Sequence, residues 1–267
     1  MIKSSAEGMT PAEAGEVVAN GFDKGETIVH LSGASFAKRG LFLRNRAILE
    51  VCEEVGPISL SNVNPMDSIE RFDGITEPSQ IPDSYHTYGS SFYDPERAIS
   101  YWNGQPSDEG DTIKLLPVDT IIKWADSSPR GRDSDVRTIL ERLKEPVEFN
   151  GIFAPVIDAG AGTVRFDKNV VDDEGALSGV KQLLEIIQEE DEKALAKMKQ
   201  KQSPDDQPGL LVQTVKLGGG DALFFDNHKV LHLRKPASTI SRLTFRVLLY
   251  SLNGSPQGVQ ANVGAYL

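Results

Sequence analysis

One stretch near the C-terminal end restricts the fold more than any other. From Gly218 the chain reads Gly-Gly-Gly-Asp-Ala-Leu-Phe-Phe-Asp-Asn-His-Lys-Val-Leu-His, reaching His232. The glycines supply a turn and Ala222 to Phe225 an apolar strand. Asp226-Asn227 supplies a second turn whose side chains can bond the backbone, and Val230 to His232 a second strand. Leu211 to Val215 before this stretch and Leu243 to Leu252 after it also read as strands. A run of closely spaced strands with apolar faces must be covered by a second sheet, so two packed sheets are expected here.

Upstream, the signals mix. Thr10-Pro11-Ala12-Glu13 sets a capping hydroxyl, a proline suited to the first helical position and a glutamate three residues after the cap, which predicts a helix to about Gly21. Ile28 to Leu31 reads as a strand. Leu41, Leu43, Ile48, Leu49, Cys52 and Val55 recur at helical spacing until Gly56-Pro57 stops them. Ser59 to Tyr93 is rich in Ser, Asn, Asp, Pro and Gly and reads as loop with short strands. Ala98 to Trp102 is a strand candidate, and Val118 to Ala125 and Val136 to Leu143 are short helices around a polar turn. Val147 to Ile157 and Thr163 to Phe166 bracket a glycine-bearing turn at 158–162 as a hairpin. Glu174 to Lys201 is a long amphipathic helix with a charged far end, and Ser203 to Gly209 a polar linker. The expected fold is mainly β with inserted helices, a double-stranded β-helix of the jelly-roll, cupin-like kind. It is read as one domain over 1–267 with a helical insertion around 117–201; a 267-residue chain is close to the roughly 200–250 residues of many single barrel domains.

Charge narrows the partners. A net charge of −11 repels phosphate backbones and anionic lipid, so neither nucleic acid nor membrane is an expected partner. Cys52 is the only cysteine, which rules out an intramolecular disulfide and a cysteine-built metal cluster, and fits a reducing cytoplasm. No window holds the roughly 20 apolar residues of a membrane span. A homo-oligomer is left open, with the apolar segment Val259 to Leu267 as one candidate contact.

The chemistry centres on His232, which the strand after the Asp-Asn turn holds on rigid support, as a metal ligand requires. Taken alone, a strand-end histidine is more often a packed residue. Arg242 and Arg246 follow on the next strand, and a spacing of four keeps two strand residues on one face. Two guanidinium groups facing one interior fit a dicarboxylic ligand held by bidentate hydrogen bonds, or else protein carboxylates. His30 and His228 have no partner at ligand spacing, and Trp102 and Trp124 read as packing residues.

Gly-Asp, an apolar strand, Asp-Asn, four residues, His, then Arg-x-x-x-Arg resembles the C-terminal signature of the iron(II)/2-oxoglutarate oxygenases, in the branch of taurine dioxygenase and clavaminate synthase. The resemblance runs from about Gly25 to Tyr250 and is strongest in the last third. It implies a double-stranded β-helix, Fe(II) held by a His-x-Asp/Glu pair and a distant His, and 2-oxoglutarate held by an Arg. His232 then becomes the distal metal ligand and Arg242 the 2-oxoglutarate clamp, with Arg246 left for an acidic group of the substrate. Tyr85-His86-Thr87-Tyr88-Gly89-Ser90-Ser91-Phe92 is similar to the family's His-Thr-Asp-Gly-Ser-Phe and makes His86 the proximal ligand. Glu109-Gly110-Asp111-Thr112 is similar to its Gly-Gly-Asp/Glu-Thr, which gives Thr112 a contact to 2-oxoglutarate.

One position departs from the family. Tyr88 stands where the metal-binding carboxylate belongs, and a phenol with a pKa of about 10 is neutral unless a metal draws off its proton. Four readings stay open. Tyr88 is an unusual third ligand or catalytic group; Asp83 or Asp94 substitutes for the carboxylate; position 88 carries an engineered substitution; or the chain is a degenerate member that binds ligands without turnover. A halogenase-like variant is weaker, because that chemistry needs a small residue at this place. The expected function is O₂-dependent oxidation, such as hydroxylation, of a small molecule of the amino-acid or natural-product-precursor class.

Overall fold

In a computed structural model of the chain, the described residues are 1–38, 41–58, 70–73, 85–87, 97–105, 111–200, 210–234, 243–249 and 252. The strands are β1 (Ile2–Ser5), β2 (Ile28–Ser32), β3 (Glu70–Asp73), β4 (Ala98–Gln105), β5 (Asp111–Pro117), β6 (Pro146–Phe149), β7 (Ile152–Pro155), β8 (Ile157–Asp158), β9 (Thr163–Val164), β10 (Gln213–Leu217), β11 (Ala222–Asp226), β12 (Val230–Arg234) and β13 (Leu243–Leu249). The helices are α1 (Pro11–Asp23), α2 (Leu41–Val55), α3 (Val118–Ser127), α4 (Ser134–Lys144) and α5 (Glu174–Gln200).

Two sheets form the centre. Six strands run in the order β1-β2-β11-β4-β13-β3, and three in the order β10-β5-β12. The pairs are antiparallel except β1 with β2. Alternation along each strand then builds three cores. One face of the large sheet, with Trp102, Phe224, Val247 and Leu249, packs on α1 and α2. Its other face, with Ile28, Ile99, Tyr101, Leu223 and Phe225, meets Ile113, Leu115, Val215 and Val230 of the small sheet. The outer face of the small sheet, with Leu116 and Leu231, packs on α3, α4 and α5. The order of layers is therefore helices, six strands, three strands, helices.

The expected strands with inserted helices are present as mixed sheets plus helices, with helices covering both outer sheet faces. Local signals did set most elements. The Thr10 hydroxyl accepts from Glu13 N–H at 3.3 Å while the Glu13 carboxylate accepts from Thr10 N–H at 2.8 Å, the reciprocal cap that starts α1. Cys52 is fully buried beside Ser100, and burial pushes its thiol up to about 12, which leaves it inert. The stretch expected as one hairpin folds as two. Asn150 and Gly151 take φ of 53° and 89° and close a tight β6–β7 turn, and β8 and β9 then pair around 158–162.

Candidate metal centre between the sheets

The turn that reads Asp226-Asn227 is pinned from several sides. Asp226 Oδ1 accepts from His228 N–H at 3.0 Å, Asp226 Oδ2 takes the Arg97 guanidinium at 2.8 Å, and Asn227 N–H donates to the Arg97 carbonyl at 2.8 Å. Arg97 also approaches His228 Nδ1 at 3.2 Å, which makes that nitrogen the acceptor. Burial raises the Asp226 carboxyl, against the pull of Arg97. This fixed turn sets where β12 begins, and with it which side chains of β12 point inward.

Val230 lies in the core between the sheets and Leu231 in the core under the helices. Alternation sends His232 inward with Val230. Its Cα partner on β5 is Leu115, which shares that inner core. On the free side of β12, His86 forms an antiparallel bridge with His232. His86 N–H donates to the His232 carbonyl at 3.0 Å and His232 N–H donates to the His86 carbonyl at 2.9 Å. A pair that exchanges both bonds keeps its side chains on one face, and the two imidazole centroids lie 4.2 Å apart. Two histidines 146 positions apart in the chain are thus brought ring to ring.

The pair sits on an aromatic floor. Phe225 lies 4.9 Å and Tyr101 6.4 Å from the His232 centroid, and the two aromatic rings stack at 6.0 Å. His232 is wholly buried, and among the described residues neither of its ring nitrogens has a hydrogen-bond partner. Burial, then His86 and Arg246, holds its imidazole well below the usual value, while the Val230 backbone pulls the other way. A neutral imidazole with two unsatisfied buried nitrogens is costly unless something electrophilic takes a lone pair. A metal ion would take the lone pair of one of these two nitrogens, so the residues present fit one.

Arg246 belongs to this neighbourhood. Its Cα partner on β4 is Tyr101, and its charge reaches His232. Thr112 is placed otherwise. It lies three residues before Leu115 on β5, so alternation puts it on the side of Lys114 and Leu116, away from the histidines. Tyr88, Arg242, Asp83 and Asp94 lie outside the described residues. Among the described residues no group of three His, Cys, Asp or Glu forms that could hold a metal. Sequence reasoning missed Phe225 and Tyr101 as the floor; both occupy inward positions of strands it had found, and counting alternation from His232 across the sheets would have named them. Arg97 had no local signal. His30, expected to be a packed strand residue, is buried and lies 3.4 Å from Asp221.

No protein-family profile matches the sequence, and no curated protein matches it either. Solved structures do. The non-heme iron oxygenase OrfP in complex with Fe and alpha-ketoglutaric acid superposes with a TM-score of 0.60 at 15% identity, covering 93% of each chain. OrfP in complex with Fe and L-homoarginine gives 0.60 at 13% identity, over 93% of this chain and 94% of that one. A taurine dioxygenase from Burkholderia xenovorans gives 0.56 at 12% identity, over 93% and 87%. The sandwich that carries His86 and His232 is therefore the fold of the non-heme iron oxygenases of the taurine dioxygenase type.

Proposed function

We propose that the chain is an Fe(II)/2-oxoglutarate-dependent oxygenase of a small molecule, with His86 and His232 as two metal ligands. The observation that carries this reading is the buried, ring-to-ring histidine pair with both His232 nitrogens unsatisfied. When bound, iron with 2-oxoglutarate supplies the activation of O₂ for oxidation of a C–H bond. The chain's own residues do the rest. Phe225 and Tyr101 hold the His232 ring against rotation and keep water from it, and the lowered basicity of that imidazole keeps it neutral, with one nitrogen lone pair available. In this reading the two facing sheets are the halves of a double-stranded β-helix, one domain with a helical insertion at 117–201.

Arg242 takes a carboxylate of 2-oxoglutarate by its place in the signature. Arg246, beside the histidines, takes an acidic group of the substrate. OrfP is seen with L-homoarginine and L-canavanine, and an amino acid is the substrate class proposed here. Thr112 enters through its motif alone, and Thr112→Val tests it through 2-oxoglutarate affinity. Tyr88 stands as the third ligand or as the mark of a member that binds without turnover. The deciding experiment is anaerobic reconstitution with Fe(II), followed by succinate formation from 2-oxoglutarate under O₂ with a panel of amino acids. Succinate formation supports the oxygenase; iron and 2-oxoglutarate binding without succinate supports the binding protein; absence of both binding events ends the reading. A gain of turnover in Tyr88→Asp would identify Tyr88 as a lost carboxylate.

A further inference from the structure

The outer face of the three-stranded sheet carries a cavity, on the side opposite the histidines. It lies between α5 and strands β10, β5 and β12, with a volume of about 640 Å³, within the range of ordinary small-molecule sites. Val180, Leu184 and Ile187 of α5 form one wall, and Val212 and Leu233 part of the other. Lys114 rises from the middle of this floor, flanked across the sheet by Thr214 and Leu233. Among the described residues the Lys114 side chain has neither an ion pair nor a hydrogen bond, although the residue is partly buried.

A half-buried ammonium on an apolar floor lacks the anion that would offset its lost hydration. One acid in the wall, Asp191, is already engaged: its two oxygens accept the Leu211 and Val212 N–H groups at 2.7 and 2.9 Å. The exposed Lys168 and Lys181 and the exposed Glu185 and Glu192 line the same cavity in equal number, so their charges offset one another. Lys114 is the cation set in the apolar floor, and it matches one negative charge on an apolar body.

We propose that this cavity is a binding site for a small monoanionic amphiphile, an alkyl carboxylate whose head meets Lys114 and whose tail lies along α5. The site is separate from the histidine pair: Leu115 faces that pair while Lys114, its neighbour, faces the cavity. The test uses the full, metal-free chain and calorimetric titration, below micelle-forming concentrations, with decanoate and with decyltrimethylammonium, which has the same tail and the opposite charge. Decanoate is expected to bind one per chain, at least about tenfold tighter than the cation. Lys114→Met should weaken decanoate about tenfold or more and Lys114→Arg should restore it, while His232→Ala leaves it unchanged. Equal binding by Lys114→Met, equal binding of the cation, loss of binding in His232→Ala, or no decanoate binding at all would each overturn the proposal.

Discussion

The two faces of the small sheet differ more than the strands that build them. On β12, His232 faces inward to His86, Phe225 and Tyr101, while Leu231 and Leu233 on either side face the helices. On β5, Leu115 backs the histidines and Lys114 stands in an apolar cavity. Inward, His232 is buried beside His86 with neither of its ring nitrogens hydrogen-bonded among the described residues, and suits a metal; outward, one cation is half buried and suits an anion. A period of two residues lets one strand serve both, so any slip of register would exchange them. The Arg97–Asp226 turn, which fixes where β12 starts, guards against that slip.

Substitutions at several positions separate the two faces. The largest effect is expected at His232→Ala, which should abolish Fe(II) binding, measured as iron per chain after anaerobic reconstitution. It should leave far-ultraviolet circular dichroism intact, since it also removes two unsatisfied buried nitrogens. Next come matched truncations on the two faces. Phe225→Ala should cost about 3–5 kcal/mol in denaturant unfolding and also weaken iron binding, because the floor under His232 is lost. Leu231→Ala, on the outer face, should cost about 2–5 kcal/mol with iron affinity kept. Equal iron loss in both variants would mean that the metal site depends on the sheet as a whole and not on its inner face.

A smaller effect is expected at the turn before β11. Asp221 accepts N–H bonds from Gly218 at 2.7 Å and Gly33 at 3.0 Å and lies beside His30. Burial raises its carboxyl, but the bonds from His30, Gly218 and Gly33 outweigh this and leave it below the usual carboxylate range. A depressed folded-state value means that its stabilisation is present above the unfolded value and is lost as pH falls through the folded one. Asp221→Asn should therefore cost about 1–2 kcal/mol near neutral pH, and unfolding curves should show the gap closing at acid pH. The smallest effect, about 1 kcal/mol, is expected for Thr10→Ala, which removes the α1 cap. It lies on neither face of the small sheet and should leave both binding sites unchanged.

What could be read from the sequence follows the range of the interactions involved. The α1 cap, the turn at Asp226-Asn227 and the strand that carries His232 are written in neighbouring residues, and each was legible. His86 was legible only through its resemblance to a family motif, since its pairing with His232 spans 146 positions. β1 escaped notice because four residues become a strand only by parallel pairing with β2. β5 was hidden because its apolar residues run directly into α3 at Pro117-Val118, blurring strand into helix. The Asn150-Gly151 turn was present in the sequence and was absorbed into too long a strand. The face of Thr112 could not be read, because alternation assigns sides only after one residue of the strand has been anchored, and that anchor, Leu115 opposite His232, is a tertiary pairing.

If His86 and His232 form the metal site on the inner face of the small sheet, iron uptake depends on both and not on Lys114. Anaerobic Fe(II) titration of the wild-type chain, His86→Ala, His232→Ala and Lys114→Met tests it most directly. The account predicts one iron per chain for the wild type and for Lys114→Met, and none for either histidine variant. A wild-type chain that takes up no iron, or a histidine variant that keeps it, would contradict the account.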